Sequence, residues 1–221
     1  MLSFNEIYQL AVQKQGSAET VESRLPAYLS DSALRQKSDD RYLSDICLRV
    51  FMAGLSRKMV MNKWDEFEKR FFGFNPKRCA FMNADEMEQR MADATLIRHL
   101  PKMKAIIDNA FMVDEITTKH GSFGNWLADW PKDDTVGLWL YLRKHGGRLG
   151  GNSAPIALRI CGKDTFLLTD DVIDCLVHQH VIDKKPTAKK DLFALQERMN
   201  QWQAESQRPL CEISRIISLA A

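Results

Sequence analysis

Hydrophobic residues recur at helical spacing along most of the chain. They stand three and four positions apart, which places them on one face of an α-helix. Three such runs are Leu43, Ile46, Cys47, Val50 and Phe51; Val60, Trp64, Phe67 and Phe71; and Ile106, Ile107, Ala110 and Phe111. No segment convincingly alternates apolar and polar residues as a half-buried β-strand does. The pattern therefore predicts an all-α fold.

Glycine, proline and polar clusters separate these runs. They occur at residues 73–76, 101, 121–124, 130–134, 146–151, 162–163 and 184–186. Such clusters favour turns, so about eight to eleven short helices are expected. The sequence has no internal repeat and no low-complexity tract. We therefore predict that residues 1–221 form a single helical domain.

The composition narrows the class of protein only a little. A formal net charge of +2 is too small to indicate nucleic-acid binding, so any attraction to a polyanion must come from local clusters. No apolar run approaches the roughly 20 residues of a membrane span, and residues 1–10 lack the features of a signal peptide. A cytoplasmic location is expected. The five cysteines form no CxxC pair, which suits reduced thiols.

Residues 149–157 place two glycines between two helical patterns. Gly150 and Gly151 let the backbone turn sharply and approach another surface without a side chain in the way. Ser153 suits the cap and Pro155 the first turn of the next helix, where backbone N–H groups would point toward an anion such as a DNA phosphate. The alternative is an ordinary helix connection in which a glycine ends the first helix.

A short apolar loop after the second helix leads to two adjacent carboxylates, Asp170 and Asp171. With the preceding glycines, this arrangement resembles the signature of the helix-hairpin-helix DNA glycosylases, in which a catalytic aspartate follows the hairpin. Asp171 is the better match to that aspartate and Asp170 the second. The alternative is that the helix dipole favours acids at this helix start, with Thr169 as the N-cap. We predict that residues 145–172 form the DNA-binding and catalytic-loop element.

A second segment resembles a more specific motif. Residues 46–56 read I-C-L-R-V-F-M-A-G-L-S and are similar to I-C-L-E-x-x-x-A-G-L-S-W, a motif of the DNA-3-methyladenine glycosylase I family. The match continues at residues 74–76 and 97–110. It covers about a third of the chain closely, and its combination with the hairpin makes it specific.

The resemblance implies a fold, an activity and a partner. The fold would be two packed helical lobes with the active-site cleft between them. The activity would be base excision repair, in which a monomeric enzyme flips an alkylated purine such as 3-methyladenine out of double-stranded DNA and hydrolyses its N-glycosidic bond. Residues 53–56 would enter the duplex, with Leu55 filling the gap. The alternative is that Leu55 merely covers one end of the core.

Several positions depart from these patterns. The acid with which the family recognises the base aligns with Arg49, and the tryptophan after A-G-L-S aligns with Arg57. The lysine that supports strand cleavage in endonuclease-type relatives aligns with Pro155, and the cysteine spacing of their iron–sulfur cluster is missing. A monofunctional glycosylase is therefore expected.

The zinc site of the family also lacks its ligands. The N-terminus has no cysteine, and the family's C-terminal H-x-x-x-C pair aligns with Asp171 and Cys175. His178 and His180 are two residues apart, so on a helix they point to different faces and make a poor tetrahedral set. We expect no zinc and no other cofactor, apart from a monovalent cation at the hairpin carbonyls that the superfamily resemblance implies.

The candidate site residues follow from these assignments. An N-alkylated purine carries a positive charge and leaves as a neutral base, so one carboxylate that stabilises the sugar cation suffices. The catalytic candidates are Asp171 and Asp170; the DNA contacts are Gly54, Leu55, Ser56, Arg57, Arg148, Gly150, Gly151, Asn152 and Ser153; the base pocket is Tyr42, Arg49, Phe51, Trp64 and Trp139. The pocket aromatics also stand at core spacing.

Two other functions are compatible with the sequence. One is a non-catalytic DNA-binding or lesion-sensing protein that keeps the glycine hairpin and the wedge, which is Leu55 in the loop at residues 53–56. The other is a glycosylase for a different damaged base, because Arg49 and Arg57 would disfavour a cationic base nearby.

Overall fold

The computed structural model describes residues 2–221, which are mainly helical. Its α-helices are α1 (Phe4–Gln15), α2 (Ala18–Glu22), α3 (Asp31–Gln36), α4 (Asp39–Met52), α5 (Arg57–Arg70), α6 (Pro76–Ala80), α7 (Ala84–Ala92), α8 (Leu100–His120), α9 (Phe123–Asp129), α10 (Thr135–His145), α11 (Ser153–Cys161), α12 (Asp170–His178), α13 (Lys189–Ser206) and α14 (Leu210–Leu219). A 3₁₀ helix covers Phe72–Phe74, and no β-strand occurs within residues 2–221. The all-α prediction is confirmed. The expected number of helices was too low, because helices as short as α2, α3 and α6 show too little periodicity to be recognised.

Local hydrogen bonds fix several helix starts. Ser3 and Glu6 form a reciprocal capping box at α1, and Asn83 and Glu86 form another at α7. The Thr169 side chain accepts a backbone N–H in the first turn of α12. These caps satisfy N–H groups that a helix start leaves without an intrahelical partner.

The larger of two compact units comprises Leu29–Trp130 and Trp139–Lys163; we call it the central unit. Within it, α4 packs on α8 and α11, and α8 also packs on α6 and α9. A cluster of stacked and edge-on aromatic rings is buried beside α4, and its members are Phe51, Trp64, Phe67, Phe71 and Phe74.

Helix α9 approaches α3 through a glycine. A Cβ atom on Gly124 would lie 2.2 Å from the backbone oxygen of Leu34 and 3.2 Å from the ring of Tyr42. The Tyr42 hydroxyl donates to the same Leu34 oxygen at 2.7 Å. The close packing of α3 and α9 therefore requires glycine at position 124.

The smaller unit comprises the N-terminal segment ending at Tyr28, together with Pro131–Leu138 and Asp164–Ala221; we call it the terminal unit. Within it, α14 packs on α1, α12 and α13. The carboxylate of Asp164 accepts the backbone N–H groups of Leu210 and Cys211 at 3.0 and 2.8 Å, which caps the start of α14.

All five cysteines are free thiols and buried, in agreement with the expectation of reduced cysteines. Burial raises the pKa of Cys79 to about 12 and raises the pKa values of Cys47, Cys161 and Cys175 as well. In the part of the chain that the structure describes, no helix is both long and apolar enough to cross a membrane.

Candidate functional site

The glycine hairpin, residues 146–152, joins α10 to α11. Leu149 anchors it at 1% exposure, whereas Gly150 and Gly151 are exposed and no atom lies within 4 Å of a Cβ placed on either. Gly151 has φ +56° and Arg148 has φ +60°, so the turn uses left-handed conformations. In residues 2–221 the backbone N–H groups of Gly150 and Gly151 have no acceptor. The tip of the hairpin is therefore free to approach an anionic surface.

Asn109, a buried residue of α8, holds the hairpin in place. Its side-chain oxygen accepts the backbone N–H of Gly147 at 2.9 Å, and its amide nitrogen donates to the Gly147 oxygen at 3.2 Å. A Cβ on Gly147 would lie 2.9 Å from the Cα of Ala105, so the hairpin backbone packs directly on α8. The sequence analysis missed the role of Asn109; its signal is a polar residue inside the apolar run of α8.

Residues 53–56 form the loop between α4 and α5. Gly54 has φ +74°, and Leu55 is only partly exposed. Ser56 and Arg57 are exposed. The loop and the first residue of α5 therefore place Leu55 beside the polar side chains of Ser56 and Arg57, as a wedge with flanking polar contacts requires.

Lys102 holds the base of this loop from α8. It is 3% exposed, and its ammonium group donates to the carbonyl oxygens of Val50 at 3.0 Å and Phe51 at 2.9 Å, and to that of Ala53. A positive charge at the C-terminus of α4 is favourable because the last carbonyls of a helix carry partial negative charge. Lys102 thereby fixes the point where the loop leaves α4.

Arg49, in the last turn of α4, lies beside the first residue of α11. Its guanidinium donates to the Ser153 hydroxyl at 3.4 Å, while its Nε is buried and has no acceptor. Burial lowers the pKa of Arg49, and no carboxylate of the described residues contributes to this shift. Burial, followed by the charges of Arg148 and Arg49, also lowers the pKa of Lys102. The central unit thus holds three neighbouring cations.

The two candidate catalytic carboxylates begin α12 in the terminal unit. The Asp170 side chain is 90% exposed and pairs with Lys185 at 3.3 Å. Asp171 is exposed and accepts a hydrogen bond of 3.5 Å from the Ser218 hydroxyl. Both carboxylates lie in the first turn of α12.

The predicted base-pocket residues differ in their exposure. Tyr42 and Phe51 are 0% exposed, and Trp64 and Trp139 are 7% exposed. Arg49 is the one member of this group that is not buried. The four aromatic side chains lie at core positions, and their assignment to a pocket stays a prediction.

Known proteins share similarity with part of this chain. The sequence profile of the methyladenine glycosylase family matches residues 30–138. Over about half of its length, the chain is thus similar to the methyladenine glycosylase family. Among its relatives are the DNA-3-methyladenine glycosylase of Haemophilus influenzae and DNA-3-methyladenine glycosylase 1 of Escherichia coli, each 40% identical over 65 residues. These matches cover 29% of this chain and 35% of each relative, so the chain spans about a third of their length.

Solved structures share the predicted fold. The alignment with an 8-oxoguanine DNA glycosylase of Methanocaldococcus jannaschii covers 97% of this chain and 91% of that enzyme, with a TM-score of 0.58 and 13% identity. The 3-methyladenine DNA glycosylase I of Staphylococcus aureus matches 69% of this chain and 88% of its own, with a TM-score of 0.51 and 20% identity. The helix-hairpin-helix DNA glycosylase fold predicted from the sequence is confirmed.

Possible metal ligands are dispersed over the described part of the chain. Within residues 2–221, no three His, Cys, Asp or Glu side chains lie close enough to hold a metal ion. The absence of zinc stays a prediction. The carbonyls of Gly147 and Gly150 already accept hydrogen bonds from Asn109 and Ser153, so the monovalent cation implied at the hairpin would have to share them.

Replacing Asn109 by alanine is expected to loosen the hairpin. The change removes two hydrogen bonds and leaves the buried N–H and C=O of Gly147 unpaired, so the free energy of unfolding should fall by about 2–3 kcal/mol. Urea unfolding measures this loss. Asn62→Ala, at an exposed position of α5, is the matched control and should change the free energy of unfolding by less than about 0.5 kcal/mol. Equal stability of the two variants would contradict the anchoring role.

Proposed function

We propose that this protein is a DNA glycosylase that hydrolyses the N-glycosidic bond of an alkylated purine after flipping the nucleotide out of double-stranded DNA. The observation that carries the proposal is an exposed glycine hairpin, anchored by Asn109, in a chain similar to the methyladenine glycosylase family. The names of its relatives, DNA-3-methyladenine glycosylases, support the same activity.

The hairpin would bind the DNA backbone. Gly150, Gly151 and Arg148 are exposed residues, and the backbone N–H groups of the two glycines have no acceptor in the described chain. Oriented N–H groups with an adjacent cation bind phosphate oxygens without reading the sequence. Arg57, exposed after the loop at residues 53–56, would contribute a second phosphate contact.

Leu55 would fill the space that the flipped nucleotide vacates. An apolar side chain inserted between bases replaces part of the stacking that flipping removes. The wedge must be held firmly to do this, and the hydrogen bond of Lys102 to the Ala53 carbonyl ties down the start of the loop.

Asp171 would stabilise the reacting sugar. The C1′–N bond breaks with its electron pair going to the purine, which leaves as a neutral base because alkylation made it cationic. The sugar becomes an oxocarbenium ion, which an ionised carboxylate favours. Water then adds to C1′ and loses a proton, for which Asp171 is an acceptor. Asp170 is the less suitable candidate because it is paired with Lys185.

The test is release of bases from methylated DNA. The purified protein is incubated with DNA treated with a methylating agent, and free bases are identified by chromatography, with unmethylated DNA as the control. Release of methylated purines from intact strands supports a monofunctional glycosylase. Binding of methylated duplex without release would instead favour the lesion-sensing alternative. A cytoplasmic location and a monomeric state stay predictions.

A further inference from the structure

We infer that Arg49 contacts the flipped base and selects alkylated guanines, which present an oxygen acceptor at position 6, over alkylated adenines, which present an amino group there. The inference rests on the proposed glycosylase function and specifies its substrate. Its basis is the buried Nε of Arg49, which has no hydrogen-bond partner, and the position of this side chain beside Ser153.

The position of Arg49 joins the two elements proposed to bind DNA. It belongs to the last turn of α4, and the wedge loop at residues 53–56 begins four residues later. Its side chain reaches Ser153, the first residue of the helix that follows the hairpin. A nucleotide displaced by Leu55 while the hairpin holds its backbone would leave the duplex beside this side chain.

The hydrogen-bonding capacity of Arg49 is mostly unused. A guanidinium has five N–H donors and no acceptor. Its one hydrogen bond in the described chain is the 3.4 Å contact with Ser153, and its Nε is buried with no partner. Burying a donor without an acceptor costs free energy in the unbound protein. A ligand that supplies acceptors would recover that cost, provided the side chain shifts to meet it.

The edge of the base decides which purine can supply these acceptors. Guanine offers O6 and N7 as acceptors, and arginine paired with these atoms is the commonest base-specific contact in protein–DNA complexes. Methylation at N3 leaves both atoms available, and methylation at N7 leaves O6. Adenine offers an amino group in place of O6, so its N–H groups would face those of the guanidinium.

The surrounding positive charges repel methylated guanine and methylated adenine alike, because both nucleotides carry one positive charge, so the preference depends on the group at position 6. No carboxylate of the described residues contributes to the pKa shift of Arg49, and Lys102 and Arg148 are near enough to influence the same electrostatic environment. The ammonium group of Lys102 already donates to three carbonyl groups. Arg49 therefore has the donors that remain available to contact a base. An acceptor oxygen is therefore favoured here, and an amino group is not.

The test compares three bases released from one methylated DNA preparation: 3-methyladenine, 3-methylguanine and 7-methylguanine. The wild type is expected to release the methylguanines faster than 3-methyladenine. Arg49→Glu should lower methylguanine release at least tenfold and reverse the order, since a carboxylate accepts from an amino group. Arg148→Gln is the control for a phosphate contact and should slow all three equally. If Arg49→Glu also slows all three equally, Arg49 binds phosphate and the inference is overturned.

A binding measurement keeps the inference testable without excision. Free 3-methylguanine and free 3-methyladenine are titrated against the wild type and against Arg49→Gln, with folding checked by thermal melting. Tighter binding of 3-methylguanine by the wild type, and loss of that preference in Arg49→Gln, supports the inference even if no base is excised. No base release from methylated DNA would count against the proposed function alone. Equal binding of both bases by the wild type would overturn the inference alone.

Discussion

Asp171→Asn is expected to lower the rate of base release about 100-fold or more. The amide keeps the size of the side chain but removes the negative charge proposed to stabilise the sugar cation and the carboxylate proposed to accept a proton from water. Single-turnover release from methylated DNA measures this effect on the chemical step. Binding of the same duplex should be nearly unchanged, because the proposed phosphate contacts are made by the glycine hairpin.

The neighbouring residue provides the control for this experiment. Asp170→Asn makes the same chemical change one position earlier, at a side chain that is 90% exposed and paired with Lys185. An exposed ion pair contributes little, so release should stay within about twofold of the wild type. Loss of activity in Asp170→Asn, with activity retained in Asp171→Asn, would mean that Asp170 and not Asp171 is the catalytic carboxylate. Full activity in both variants would exclude a catalytic carboxylate at this helix start.

Gly124→Ala is expected to reduce the free energy of unfolding by about 3 kcal/mol. The added Cβ would lie 2.2 Å from the backbone oxygen of Leu34 and 3.1 Å from its carbonyl carbon, so a backbone segment must move. Movement of that segment also disturbs the 2.7 Å hydrogen bond from Tyr42 to the same oxygen. For a chain of this size the melting temperature should fall by about 10 °C, which calorimetry measures directly.

A second glycine serves as the control for steric crowding. A Cβ on Gly150 meets no atom within 4 Å, so Gly150→Ala should change stability by less than about 0.5 kcal/mol. If Gly124→Ala melted at the wild-type temperature, the packing of α9 on α3 described above would be wrong.

The sequence predicts the helical architecture better than it predicts the contacts between helices. Long helices such as α8 are recognisable from the helical spacing of their apolar residues. The paired glycines at 150 and 151 indicate the hairpin because few other residues tolerate such a turn. The anchoring roles of Asn109 and Lys102 depend on which distant carbonyl groups lie beside them. Spacing along one helix carries no information about those partners.

The candidate pocket illustrates the same limit. Tyr42 and Phe51 recur at helical spacing whether they line a cavity or fill the core, so the sequence cannot distinguish these positions. Their complete burial becomes visible only in the folded chain. Arg49 differs because its charge stands out within an apolar segment, although the lack of a hydrogen-bond partner for its buried Nε is a property of the fold.

The buried cysteines have a chemical consequence for the proposed activity on alkylated DNA. Methylating agents attack thiolates as well as purines, and thiolates are the reactive form of cysteine. Because burial raises the pKa values of Cys47, Cys79, Cys161 and Cys175, these thiols stay protonated as well as hidden from the reagent. The folded protein is thus shielded from the electrophiles whose damage it would repair. Unfolding exposes all five cysteine thiols. The same reagent would then methylate unfolded molecules and prevent them from refolding.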